Sequence, residues 1–136
     1  MSRILAFPWL LFPLLVIVLV ASRSADAQVA KETSLMTRAL TDMPGREDLV
    51  ETVVLAPSEV AAAHRHNADV FAYVLEGSII TRVEGGDSQT VHAGGVFYES
   101  PTDVHLVSRN ASTTEPATLL VFFVKNMGAP PTTRVP

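Results

Sequence analysis

All four histidines of the 136-residue chain fall between positions 64 and 105, and His64 and His66 stand two residues apart. Successive side chains on an extended backbone alternate between faces, so this spacing sends both imidazoles to one side. Neutral imidazole suits first-row metals, and two rings converging on one point begin a metal site. His105 opens another β-like run, after Ser100-Pro101-Thr102-Asp103, and a closed β-fold could carry it to the first pair. The residues alone leave a second reading open, in which these histidines are structural and hydrogen-bonded. His92, directly before the turn Ala93-Gly94-Gly95, is read as structural or solvent-exposed. The chain has no cysteine, which excludes a disulfide scaffold, a thiolate nucleophile and a Cys-ligated metal. It also has no Gly-rich phosphate loop, no Ser nucleophile elbow and no HExxH pattern.

Short strands must position these rings. Residues 49–56 are rich in β-branched side chains and stop at the turn pair Pro57-Ser58. Residues 70–75 form a second run closed by Glu76-Gly77, and residues 79–83 a third, followed by the hairpin turn Glu84-Gly85-Gly86-Asp87. Runs at 89–92, 96–99, 104–108 and 118–125 complete the set. Short strands separated by regular turn signals predict a single all-β sandwich or barrel over residues 47–125. Residues 28–46 read as a polar arm with one edge strand, which could also serve as an added or swapped strand in a homodimer. Residues 126–136 read as a Pro-rich tail, loosely held. Phe71, Phe97, Phe122 and Phe123 are expected mostly in the core, and Arg82 and Arg109 on the surface.

The leader is of another character. Residues 4–21 carry no charge, Arg3 precedes them, and Ala25-Asp26-Ala27 supplies small residues two apart. This predicts a cleaved signal peptide over residues 1–27 and a periplasmic or secreted protein with no stable membrane insertion. The rival is an uncleaved N-terminal anchor, since this apolar run just reaches spanning length, but Pro8 and Pro13 each remove a helix hydrogen bond. The formal net charge is −4, with no basic stripe, so nucleic acid is not an expected partner.

Residues 61–79, AAAHRHNADVFAYVLEGSI, and 94–110, GGVFYESPTDVHLVSRN, resemble the two motifs of the cupin superfamily. His64, His66, Gly77, Gly94 and His105 occupy matching positions. The resemblance implies a jelly-roll-like β-barrel with His64, His66 and His105 holding a divalent metal ion such as iron, manganese, nickel or zinc. It departs from the family where a Glu ligand would stand, because that position is Val70. Asp69 lies on the opposite face unless the backbone bulges, and Glu76 and Glu99 are the remaining substitutes, each beside a turn where an acid is ordinarily solvated. Ser100 and Thr102 replace the Pro and Gly of the second motif.

The expected site is therefore three imidazoles without an acid. A neutral donor set leaves the cation more Lewis-acidic than one containing a carboxylate. The resemblance then implies an exported cupin acting on or binding a small molecule, with iron dioxygenase-like chemistry ahead of isomerase or lyase work. Tyr98 and Glu99 are the candidate proton-transfer groups, with Asp103 nearby. The alternative is a non-catalytic binder of a small ligand or metal, serving as a sensor, storage or interaction module.

Overall fold

The computed structural model describes residues 30–135, so the expected signal peptide lies outside the described residues. Among the described residues every regular element is a strand. In chain order these are β1 (Lys31–Ala39), β2 (Arg46–Leu55), β3 (Val60–Ala61), β4 (His64–His66), β5 (Ala68–Glu76) and β6 (Ser78–Val83). They continue with β7 (Gln89–His92), β8 (Val96–Glu99), β9 (His105–Asn110), β10 (Ala117–Asn126) and β11 (Thr132–Arg134). One sheet runs β1-β2-β10-β5-β8 and the other β11-β4-β9-β6-β7, with β3 on β9, and all pairings are antiparallel. This is the all-β, jelly-roll-like architecture that the alternating short strands predict.

Period-2 alternation decides what fills the space between the sheets. On β5, Ala68, Val70, Ala72 and Val74 are each no more than 3 % exposed, whereas Phe71 and Tyr73 face outward. Leu119, Val121 and Phe123 on β10 join them with Ile79. Each large apolar side chain so buried contributes roughly 1.5–3 kcal/mol. Phe123 and Phe97 belong to this core as expected, but Phe71 does not. Its odd position on β5 places it on the outer face, where its ring stands 5.2 Å from that of Tyr98.

Two local devices hold the strand ends. Gly77 closes the β5–β6 hairpin at φ 74°, where a Cβ would lie 2.7 Å from the Pro116 carbonyl oxygen, so glycine is required there. Asn110, 2 % exposed, donates through Nδ2 to the carbonyls of Leu55, Ala56 and Glu115 and accepts from the Ser112 N–H. The sequence Asn110-Ala111-Ser112 is thus a buried loop clasp rather than a modification site.

The ends of the chain are more ordered than their composition suggests. The arm supplies β1, an edge strand on β2 whose nine residues are all exposed. The tail expected to be loosely held instead contributes β11, which pairs with β4 in the register Thr132↔His66 and Arg134↔His64. Just before it, the Glu47 carboxylate accepts from the Lys125 ammonium and the Gly128 N–H. Those bonds, the Lys125 one foremost, hold the Glu47 carboxyl below its ordinary range.

Candidate metal centre

The three histidines of the motifs meet. His64 on β4 is the direct cross-strand partner of His105 on β9, and alternation along β4 returns His66 to the same face. In the β6–β9 ladder the register shifts between Arg82 and Val83, leaving Leu106 without a partner. A bulge of this kind re-aims the neighbouring side chain, and His105 is turned inward to 3 % exposure. Ring centroids stand 4.7 Å apart for His64–His66 and 5.0 Å for His64–His105. One nitrogen from each ring lies within 4.8 Å of the others.

The outward nitrogens already have partners. His64 Nδ1–H donates to the Ala62 carbonyl at 2.7 Å. His66 Nδ1–H shares its proton between the Pro131 carbonyl, 3.2 Å, and the Thr132 hydroxyl, 3.1 Å. His105 Nε2 bonds the Thr81 hydroxyl at 2.8 Å. With Nδ1 protonated on both rings, the Nε2 atoms of His64 and His66 present bare lone pairs to each other across 3.1 Å. Two lone pairs so placed repel unless a cation lies between them. Nitrogens about 2.1 Å from one ion and at right angles would stand about 3 Å apart. The donor set fits a first-row divalent ion, and the outer hydrogen bonds supply the orientation that such ligands need. Burial, foremost, pushes the His66 pKa down to about 4, against the raising effect of Glu99. The ring is therefore neutral and ready to ligate over the whole range around neutrality.

The acid missing from the motif stands close by. Glu99, expected to be solvated beside its turn, is 3 % exposed. Its Oε2 lies 3.1 Å from His105 Nδ1 and 3.8 Å from His66 Nε2. The expectation of three imidazoles without a neighbouring carboxylate is therefore corrected. Glu99 is the cross-strand partner of Val70, and Val70 faces the cavity as the motif alignment requires. A signal was available in the sequence: if Phe97 is core, alternation on β8 puts Glu99 on the same face and Tyr98 on the other. Tyr98 accordingly leaves the list of site residues. It is 51 % exposed and donates to Asp69 Oδ1 at 2.8 Å on the outer face. That bond is the main reason its hydroxyl is pushed above its ordinary pKa. Asp69 also pairs with Arg46 at 3.3 Å. Glu76 is exposed, Asp103 caps its own turn by accepting from the Ser100 N–H, and His92 bonds Ser78 at the surface.

The histidines and Glu99 line a cavity of about 460 Å³. Its wall is largely apolar, with Val53, Leu55, Ala72, Phe97, Leu119 and Phe123 among its members. Ser108, Thr132, Arg134 and Glu32 supply polar groups, Arg134 and Glu32 from exposed positions. A cavity of this volume suits a small molecule.

Comparison with known proteins adds a family and several folds. A family model described as "Cupin domain" matches residues 51–123. A search of the curated proteins finds no match. Among solved structures, the DMSP lyase DddQ from Ruegeria pomeroyi superimposes with a TM-score of 0.58 at 16 % identity, covering 65 % of this chain and 43 % of the lyase. This chain therefore spans less than half of that enzyme. A protein from Thermus thermophilus gives a TM-score of 0.55 at 24 % identity, covering 71 % of this chain and 83 % of that one. The cupin domain of Schizosaccharomyces pombe Cnp3 gives 0.60 at 16 % identity, covering 76 % and 66 %. At these identities the likeness is one of fold.

Proposed function

Because the chain belongs to the cupin domain family, we propose that it is an exported cupin that holds a divalent metal ion on His64, His66 and His105 and acts on a small, mainly apolar molecule. The observation that carries this reading is the set of capped outer nitrogens, which leaves lone pairs of His64 and His66 facing each other at 3.1 Å. A bound ion would supply Lewis acidity to a chelating oxygen of the ligand and, were it iron, oxygen chemistry. The chain's own contribution is exclusion of water. Val53, Leu55, Phe97 and Leu119 wall the cavity, and electrostatic interactions strengthen where water is removed.

Dioxygenase-like turnover is the leading chemistry, with isomerase or lyase work behind it. The alternative, a non-catalytic binder of a small ligand, is favoured by the outward turn of Tyr98, which takes a proton-transfer candidate out of the cavity. Metal analysis after loading with iron, manganese, nickel or zinc tests the centre. His64→Ala and His105→Ala are each expected to lower bound metal at least about tenfold while the β-sheet circular dichroism is kept. Unaltered metal stoichiometry in both would remove the site. Oxygen uptake by iron-loaded protein with an enol or phenol would favour the enzyme, and saturable binding of such a compound without uptake the binder.

A further inference from the structure

We infer that Glu99 is the fourth protein ligand of this centre, a carboxylate supplied by β8 in place of the one that the first motif lacks at Val70. The inference rests on the metal-binding reading above and deepens it. Val70 and Glu99 are direct partners in the antiparallel β5–β8 ladder, so their Cβ atoms stand about 5 Å apart on the same face. Both are inside, at 1 % and 3 % exposure. Transfer of the acid from one strand to its neighbour keeps it at the same depth in the cavity. What changes is the side from which it reaches the histidines.

The surroundings of Glu99 support a cation there. A carboxylate withdrawn from water requires a positive charge or hydrogen-bond donors. Its imidazole neighbours turn inward His66 Nε2 at 3.8 Å and His105 Nδ1 at 3.1 Å. The opposite nitrogens of both rings are engaged, by Pro131 and Thr132 on one and by Thr81 on the other. His66 therefore offers Glu99 a lone pair and no proton. A divalent ion placed among these atoms satisfies the carboxylate and the imidazoles together. It also makes the donor set carry one negative charge, so the centre retains its metal more firmly and polarises a bound oxygen less than three neutral rings would.

The test uses cobalt(II) and the full folded domain. Glu99→Gln keeps the shape and removes the charge, and Val70→Glu/Glu99→Val moves the acid back across the ladder. Calorimetric titration of Glu99→Gln is expected to show at least about tenfold weaker cobalt binding. The visible absorption of the bound cobalt should also change, because one donor is lost or replaced. The double variant should recover affinity to within about threefold of the parent. Should the double variant not fold, Glu99→Asp, which keeps the charge and withdraws the oxygen, replaces it and should also alter the spectrum. An unchanged cobalt spectrum in Glu99→Gln, alongside loss of binding in His105→Ala, would overturn the inference and leave the three-histidine reading standing. Full cobalt binding in His105→Ala as well would mean that the centre itself has been misread.

Discussion

Val70 and Glu99 face each other across the β5–β8 ladder with both side chains in the cavity. That one relationship accounts for a motif that lacks an acid and a site that has one beside it.

It also reverses the simple expectation for restoring the motif. Val70→Glu would set a second carboxylate against Glu99, and like charges directly opposite on a sheet repel. The metal-free variant is expected to melt at least about 10 °C below the parent, the shift that roughly 2 kcal/mol gives in a domain of this size. A divalent ion should recover most of the loss. Thermal melts with and without nickel check this, and an unchanged melting point in metal-free buffer would place Val70 away from Glu99.

Burial holds His66 neutral, with its pKa lowered from 6.5 to about 4. The unfolded chain takes up a proton there below about pH 6.5 that the native chain refuses until about pH 4. Native stability of the metal-free protein should therefore be full above pH 6.5, decline between 6.5 and 4, and flatten below. Urea titrations of the parent and His66→Gln across that window check the sign. The parent should lose more stability than the variant, and equal slopes would count against a buried neutral His66.

How much of this could be read without coordinates follows from the range of the interactions. The convergence of His64 and His66 depends on a period of two within one strand, which is local and legible. The outward turn of Phe71 follows from the same alternation once Val70 and Ala72 are taken as core, yet its apolar character argues the other way and misleads. Glu99 becomes visible only when β8 is known to pair with β5 in one particular register, a fact no local pattern contains. The β-branched pair Thr132-Thr133 marks β11, but the prolines before it read more loudly as a free tail. His105 opens a strand as expected, whereas the bulge that aims it depends on the ladder with β6.

Thr132 is expected to matter to the metal while touching none of it. Its hydroxyl stands 3.1 Å from His66 Nδ1, and removing such an outer partner weakens metal binding. Since the Pro131 carbonyl remains, Thr132→Val should lower affinity by up to about tenfold, and Thr132→Ser should keep it. Nickel titration of the two variants separates the hydroxyl from the side-chain volume, and equal losses in both would assign the effect to packing.

Asn110 should prove structural. Asn110→Ala removes one buried side chain that serves three carbonyls and one N–H. A destabilisation of about 3 kcal/mol is expected from the groups left without partners. Urea unfolding measures it, and a loss below about 1 kcal/mol would mean that water replaces the amide.

The pairing of β11 with β4 makes the last strand of the fold a clasp on the histidine motif. A protease that nicks the short loop between Asn126 and Thr132 would leave every metal-binding side chain on the main fragment. It would nonetheless slacken the hold on His66, so cleavage far from the ligands in sequence would be felt at the ion. Occupancy of the centre would then report on the integrity of a segment that itself contributes no ligand.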